Sequence, residues 1–317
     1  MSDSLRLQGN ILFYNVENRF DTKNDPATND DDFTPGGEMH WTEKRYDQKL
    51  NQLAEAITMS GKALPIVIGL CEIENRAVVD DLVRNGPLAS VDYTIVHYNS
   101  PDERGIDVAL LVSPDAGQVV FSEPMRVDLE GDDATRDVLY ARIRAVDGKD
   151  LHVFVNHWPS RREGEWESDP KRMIAATTVR KRVDAILAED PKARIVIMGD
   201  LNDESNDASL LQGLRAATRM GDDADLYDLV AADHKKRSGS ISRDNHWMYF
   251  DHLIVSKELL KPTVGGPRAV TAHSVKDDRL VFHHPRFGEQ PNRTYSGRGV
   301  YHPNGFSDHL PVVLVLE

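Results

Sequence analysis

Short, almost uninterrupted apolar segments restrict the fold of this chain more than any other feature of its sequence. PIVIGLCEI (65–73) and RIVIMGDLN (194–202) are apolar at consecutive rather than alternate positions, which is typical of strands covered on both faces. Four further segments have the same character: ILFYNV (11–16), DVALLVS (107–113), HVFVNHW (152–158) and DHLIVS (251–256). The sequence therefore predicts sheets that lie between other layers of the structure.

Helical patterns separate some of these strands. Apolar residues recur at helical spacing from Thr42 to about Ser60 and again from Asp169 to Glu189, where Pro170 suits the first turn. Residues 117–155 instead show partial alternation, which predicts an antiparallel meander. Together these patterns predict an α/β protein with mixed sheets.

Composition excludes several classes of protein. Of the 317 residues, 40% are hydrophobic, which is enough for a substantial core, and Cys71 is the only cysteine, so neither an intrachain disulfide nor a cysteine-rich metal site can form. No apolar run is long enough to span a membrane, and the first residues lack the apolar stretch of a signal peptide. These features predict a cytoplasmic protein by default, or an exported one whose leader is absent from this sequence, and nothing indicates a protein partner.

The formal net charge of −14 bears on which substrates the chain can accept. Proteins that coat nucleic acid without sequence preference are usually basic. This chain would repel long polyanions unless its charges are segregated or a divalent cation offsets them, and a surplus of carboxylates can itself hold such cations. The charge therefore favours ends or short pieces over long polyanions.

Polar residues stand where the apolar strands stop. The breaks fall at Asn15, Glu72, Asn156-His157 and Asp200-Leu201-Asn202, and the last strand begins at Asp308-His309. Taken singly, each residue fits a turn or a helix cap. Because ligand sites in α/β proteins gather at strand ends, the set as a whole predicts oxygen donors for a hard divalent cation beside two histidines suited to proton transfer.

Seven segments in this order resemble the endonuclease/exonuclease/phosphatase superfamily, which includes pancreatic deoxyribonuclease, apurinic endonucleases, sphingomyelinases and inositol polyphosphate phosphatases. They are Asn15, Glu72, RGIDVALL (104–111), NHWPSR (156–161), GDLND (199–203), FDHLIVS (250–256) and SDHLP (307–311). The resemblance runs from residue 11 to the C-terminus. It implies one catalytic domain over residues 1–317, built as a four-layer α/β sandwich of two face-to-face mixed sheets flanked by helices.

The resemblance also implies roles for individual residues. Glu72 would be the main metal ligand, with Asn15 and Asp308 near the same ion, which would be Mg²⁺ or alternatively Mn²⁺. Asp200 would orient or deprotonate the attacking water, and His309, held by Asp251, would contact the phosphate or transfer a proton. The residues implied for catalysis are His157, Asp200, Asn202, Asp251 and His309, and those implied for the substrate phosphate are Asn15, Arg104, His157 and Asn202.

Some assignments stay open at this point. Glu74 competes with Glu72, since residues two apart lie on the same face of a strand, and His252 competes with Asp251. Asp107 either supports Arg104 or only starts a strand. Four aromatic side chains could stack on bases or could only pack inside the protein, namely Trp158, Trp166, Trp247 and Tyr249.

The substrate is open as well. A nuclease or related phosphodiesterase is expected first, a phosphatase or phosphodiesterase for a small phosphoester or phospholipid head group second, and a binding module without activity last. A basic surface for a phosphate chain could form at Arg161-Arg162 and at Lys235–Arg237 with Arg243, or these could be ordinary surface charges. The polar segment 283–305 is predicted as a long loop that borders the site.

Overall fold

The computed structural model describes residues 6–129, 131, 133–233, 238–243, 245–263, 265–297 and 299–317, and for residues 163 and 165 the backbone alone. Two large sheets dominate it, and strands and helices are numbered here in chain order. The first sheet contains β1 (Gly9–Arg19), β2 (Val67–Ile73), β3 (Thr94–His97), β4 (Asp107–Val112), β14 (Ala269–Ser274) and β19 (Val312–Leu316). The second contains β5 (Gly117–Met125), β6 (Val138–Ala145), β7 (Asp150–His157), β8 (Arg194–Asp200), β9 (Ala216–Ala217), β10 (Leu226–Asp228) and β13 (Asp251–Ser256).

The remaining regular elements are smaller strands and the helices. Three two-stranded ribbons pair β11 (Ile241–Arg243) with β12 (His246–Met248), β15 (Val281–His284) with β16 (Gly288–Pro291), and β17 (Tyr295–Ser296) with β18 (Val300–Tyr301). The α-helices are α1 (Glu43–Thr58), α2 (Arg76–Val83), α3 (Glu165–Glu189) and α4 (Lys257–Leu260). None of the helices in the described part of the chain combines the length and the apolar character that crossing a membrane requires.

Both large sheets are mixed. The first runs in the order β14-β19-β1-β2-β4-β3, with β1 and β2 parallel and the other pairs antiparallel. The second runs β5-β6-β7-β8-β13-β10-β9, and there β7 and β8 form a parallel pair. The predicted meander is confirmed, because β5, β6 and β7 pair in antiparallel succession.

Alternation along the strands separates the core into layers. On β1, Ile11 and Phe13 pack between the two sheets, whereas Leu12 and Tyr14 pack on the outer face with residues of α1 and α2. On β8, Val196 faces the other sheet, while Ile195 and Ile197 pack against α3. Helices, sheet, sheet and helix therefore form four layers, and the predicted sandwich fold is confirmed.

Two boundaries differ from the predictions. The second long helix begins at Glu165 rather than Asp169, so Pro170 lies inside it instead of in its first turn. At this sixth position proline cannot donate to the carbonyl of Trp166, so one hydrogen bond of the helix is missing there. The segment 283–305 is not an irregular loop, because backbone pairing folds much of it into the ribbons β15–β16 and β17–β18.

Candidate active site at one edge of the sandwich

Strand register brings the predicted residues to one edge of the space between the sheets. His157 on β7 lies beside Asp200 on β8, and Asp200 lies opposite Asp251 on β13. Each of the three lies an even number of positions along its strand from a residue that packs between the sheets, as Asp200 lies two positions from Met198. Side chains two apart point to the same face of a strand, so all three polar groups point into the edge of this inner space.

A cleft of about 660 Å³ opens at this edge, within the usual size of a small-ligand site. Seven of the predicted site residues line it: Glu72, Arg104, His157, Asp200, Asn202, Asp308 and His309. Asn15 and Asp251 are almost fully buried and lie just behind the lining. The fold thus brings together residues separated by more than 200 positions of sequence.

Glu72 reaches the cleft because β2 contains a bulge. Cys71 pairs with Val108 and Ile73 with Asp107, which leaves Glu72 as an extra residue, and its φ of +62° is left-handed. The bulge reverses the alternation, since Cys71 packs in the inner core and Ile73 in the outer one. Without it, Glu72 would follow Leu70 toward the helices.

Glu74, the competing candidate, does not line the cleft. Its Oε2 accepts a hydrogen bond from the backbone N–H of Asp21. Burial, followed by nearby acids such as Asp21, raises the pKa of Glu74 to about 7. Sequence spacing placed the two glutamates on one face, and the bulge is what separates them.

Asn15 lies between the carboxylates of Glu72 and Asp200 at the floor of the cleft. Its Nδ2 lies 3.0 Å from Asp200 Oδ2 and 3.4 Å from Glu72 Oε1, and its Oδ1 accepts the N–H of Glu17 at 3.0 Å. The second oxygen of Glu72 accepts the N–H of Asn18 at 2.7 Å. In this orientation Asn15 acts as a hydrogen-bond donor, and its oxygen would face a metal ion only if the amide turned over.

Asp200 lies between two histidines. Its Oδ2 is 3.8 Å from Nε2 of His157 and 3.8 Å from Nε2 of His309. Its Oδ1 accepts the N–H of Asn202 at 3.0 Å, and Asn202, with a left-handed φ of +52°, donates from Nδ2 to the carbonyl of Trp158 at 3.0 Å. Burial raises the pKa of Asp200 to about 7, so this carboxyl can exchange a proton near neutrality.

The two histidines differ in protonation. Burial alone would lower the pKa of His309, but Asp251, whose Oδ2 is 2.6 Å from Nδ1, together with Asp200 raises it well above its ordinary value. Burial lowers the pKa of His157 well below that value, and Arg136 and Arg104 add to the effect. The raised pKa favours the charged imidazolium of His309, and the lowered pKa favours the neutral imidazole of His157.

Arg136 is a supporting residue that sequence reasoning missed. Its buried guanidinium donates to the carbonyls of His157 at 3.2 Å and Trp158 at 2.8 Å, and to Asp102 Oδ2 at 2.8 Å. These contacts hold the turn that follows β7 and therefore the ring of His157. No motif or periodicity marks Arg136, because its role depends on carbonyls more than 20 residues away along the chain.

Other candidates lie outside the cleft. His252 is buried on the opposite face of β13, where Nδ1 is 2.9 Å from Asp228 Oδ2 and Nε2 is 2.8 Å from the carbonyl of Asp203. Asp107 begins β4 and contacts His97 and the N–H of Ser100, whereas Arg104 pairs with Asp102, whose Oδ1 lies 3.8 Å from its Nε.

Aromatic residues at the cleft are not the predicted ones. Trp158 is buried, with its Nε1 donating to Asn156 Oδ1 at 3.1 Å, and neither it nor Trp166, Trp247 and Tyr249 lines the cleft. Phe250 and Phe287 do. Of the basic residues considered for binding a phosphate chain, Arg161, Arg162 and Arg243 line the cleft, whereas residues 235–237 lie outside the described part of the chain.

Two groups of side chains could hold a divalent cation. Ligand atoms of Asp200, Asp251 and His309 lie within 4.8 Å of one another, but Nδ1 of His309 is already paired with Asp251 Oδ2 at 2.6 Å and the raised pKa of the ring favours its charged form, which a cation would oppose. Glu72 and Asp308 present carboxylates to the same cleft, and Asp308 hydrogen-bonds to none of the described residues. Hard oxygen donors suit Mg²⁺ or Mn²⁺, and we therefore favour Glu72 and Asp308.

The sandwich of two mixed sheets is the fold of a class of phosphoester hydrolases. A family model described as Endonuclease/Exonuclease/phosphatase family matches residues 10–317, and the chain belongs to this family. Its members are phosphoester hydrolases that generally use divalent metals. No curated protein matches the chain.

Solved structures give the same fold. Truncated Caenorhabditis elegans TDP2 is 17% identical with a TM-score of 0.59, and the match covers 99% of each chain. The Bacteroides thetaiotaomicron mannosyl-6-phosphatase Bt3783 is 16% identical with a TM-score of 0.60, over 97% of this chain and 99% of that one. The human Nocturnin catalytic domain with a bound sulfate anion is 13% identical with a TM-score of 0.57, over 99% and 96%.

Proposed function

We propose that the protein is a divalent-metal-dependent phosphodiesterase that cleaves short or terminal stretches of nucleic acid. The observation that carries this proposal is the position of Asp200 between a charged and a neutral histidine, next to the carboxylate of Glu72. Neighbouring groups with pKa values pushed apart are typical of acid–base sites. The net charge of −14 supports short substrates over long ones.

Glu72 and Asp308 would hold the metal ion, which supplies charge stabilisation to a phosphate oxygen. The attacking water would lie against Asp200, whose carboxylate takes a proton as the water oxygen bonds to phosphorus. The ester P–O bond would break in the same displacement, and the departing oxygen would take a proton from solvent and leave as an alcohol. The imidazolium of His309, fixed by Asp251, would donate to a phosphate oxygen. His157 would donate its single N–H from the other side, and Arg104 would contact the same phosphate.

A small phosphoester is the second candidate. Its charge is compact, so an acidic protein repels it less than a polymer, and one of the similar structures is a mannosyl-6-phosphatase. Inositol phosphates and phospholipid head groups belong to this candidate. The two proposals share the reaction class, phosphoester hydrolysis, and differ in the substrate, which is nucleic acid in the first and a small phosphoester or phospholipid head group in the second.

A substrate panel tests both. The purified chain is assayed with Mg²⁺, with Mn²⁺ and with chelator on single-stranded and duplex DNA, RNA, a chromogenic phosphodiester, inositol phosphates and sphingomyelin. Metal-dependent cleavage of the oligonucleotides and the chromogenic diester is expected. Activity confined to inositol phosphates or sphingomyelin would reject the nucleic-acid substrate in favour of the second candidate.

Matched variants test the metal assignment in the same assay. Glu72→Gln is expected to lower turnover by orders of magnitude, because an amide replaces the charged ligand. Glu74→Gln, two residues away and outside the cleft, is expected to keep nearly full activity. Equal losses in both variants would contradict the role given to Glu72.

A further inference from the structure

Three arginines at the cleft have no acidic partner among the described residues. Arg162 and Arg243 are exposed and Arg293 is half-buried, and all three line the cleft. The buried Nε of Arg293 hydrogen-bonds to no described atom. In a chain with 52 acids and 38 lysines and arginines, three such cations along one cleft need an explanation.

The other arginines near the cleft are already paired. Arg161 donates to the carbonyl of Asn202 and to Asp203 Oδ1, both at 2.7 Å, and Arg104 lies beside Asp102. Most buried arginines elsewhere also have carboxylate partners, as Arg194 has Asp147 at 2.7 Å, and Arg19 instead packs over the ring of Tyr46. The three unpaired guanidiniums therefore differ from those that serve the fold.

Two of the three belong to a wall of the cleft that is built from the ribbons. Arg243 is on β11, which packs against β16 through a hydrogen bond of 2.9 Å from Ser242 Oγ to the carbonyl of Glu289. Gln290 of β16 also faces the cleft. Arg293 follows β16 directly, so the two guanidiniums lie on adjoining elements of one surface.

A buried ion pair fixes the backbone next to Arg293. Glu17 accepts the N–H of Thr294 at 2.6 Å and pairs with Lys49 Nζ at 3.4 Å, and Lys49 also donates to the hydroxyl of Thr294 and the carbonyl of Phe306. Both charged side chains are almost fully buried. The segment that presents Arg293 is therefore anchored to β1 and α1 before any ligand binds.

We propose that Arg162, Arg243 and Arg293 form an anion subsite for a second phosphate of the substrate, next to the one that is hydrolysed. This inference rests on the proposed function. Guanidinium groups bind phosphate oxygens through paired hydrogen bonds, and a cleft of about 660 Å³ has room beyond a single phosphate. The second phosphate belongs to a neighbouring nucleotide or to a small bisphosphorylated molecule.

Paired substrates test the subsite on the full chain with Mg²⁺. A thymidine dinucleotide with free ends is compared with the same dinucleotide carrying a terminal phosphate, and glucose 1-phosphate with glucose 1,6-bisphosphate. A charged hydrogen bond contributes about 1.5–3 kcal/mol, or roughly 10- to 100-fold in affinity. We expect wild-type KM to be lower by this factor for the doubly phosphorylated member of whichever pair is the substrate class.

The variant Arg243→Gln/Arg293→Gln is expected to abolish this preference while leaving kcat and the KM for the singly phosphorylated substrate within about twofold. Salt should raise KM for the doubly phosphorylated substrate in the wild type and much less in the variant. Arg84→Gln is the control, since Arg84 directly follows α2, is exposed and does not line the cleft. A preference that survives in the double variant would overturn the subsite.

Binding separates this proposal from the proposed reaction. Inorganic pyrophosphate is titrated calorimetrically into the wild type, the double variant and the control. Weaker binding to the double variant alone supports the subsite even if no phosphodiester in the panel is cleaved. Equal affinity in all three proteins contradicts the subsite, whatever the enzyme hydrolyses.

Discussion

The floor of the cleft and its ribbon wall are built in opposite ways. The floor consists of buried residues on β1, β2, β7, β8 and β13 and just before β19, most of them joined by hydrogen bonds of about 2.6–3.4 Å. The wall consists of short ribbons that carry exposed or half-buried arginines and Phe287. Because a packed core fixes geometry and surface segments tolerate change, the floor is suited to chemistry and the wall to substrate selection.

Substitution of floor residues gives the largest expected effect. His309→Ala and Asp200→Asn should each lower kcat by about 10²- to 10⁴-fold, because each removes a group that acts in proton transfer or charge stabilisation. Steady-state kinetics on the chromogenic diester measures the loss, and circular dichroism checks the fold. His283→Ala is the control, since that side chain is 77% exposed on the wall. Near-normal rates in a floor variant would show the role assignment to be wrong.

The connection between wall and floor should appear in stability. Lys49→Met leaves the carboxylate of Glu17 buried without its cation and is expected to lower the free energy of unfolding by about 3–5 kcal/mol. Lys49→Met/Glu17→Gln removes both charges and should regain most of this loss. Urea unfolding measures both. Equal destabilisation in the single and double variants would mean that packing, not the unpaired charge, causes the loss.

The pH profile tests the pairing of His309 with Asp251. A raised pKa keeps the imidazolium to higher pH in the folded chain, so its stabilising contribution is complete below about pH 6.5, the ordinary value, and is lost as pH rises through the raised value. Asp251→Asn lowers that pKa and should move the basic limb of the kcat profile to lower pH. An unmoved basic limb would assign it to another group.

The smallest expected effect lies on the wall. Phe287 is 40% exposed and its ring packs 4.7 Å from that of His284, so it can stack on a base. Phe287→Ala should raise KM for a dinucleotide by about tenfold or less, with kcat unchanged. Phe282→Ala, equally exposed on the same ribbon but outside this cleft lining, is the control. A fall in kcat would place Phe287 with the floor.

The sequence predicts the floor better than the wall for a physical reason. Floor residues follow long apolar strands, so their positions can be read from hydrophobic runs, and the order of segments agrees with the family. Phe287 and Arg293 lie in a polar segment without periodicity, where backbone pairing rather than apolar pattern determines structure. That segment was therefore predicted as a loop.

Two features of the floor were also beyond a sequence pattern. Strand alternation cannot distinguish Glu72 from Glu74, because the bulge that turns Glu72 into the cleft leaves no mark in hydrophobicity. The opposite protonation of the histidines depends on Asp251 beside one and Arg136 behind the other. Both neighbours are distant in sequence, and only the fold brings them into contact.

The position of the metal ion tests the central claim most directly. Crystals soaked in Mn²⁺ would be measured by anomalous diffraction, which locates the ion independently of activity. The account predicts one strong peak within bonding distance of carboxylate oxygens of Glu72 and Asp308, with the contact between His309 and Asp251 intact. A peak bound instead by Asp200, Asp251 and the ring of His309 would contradict it.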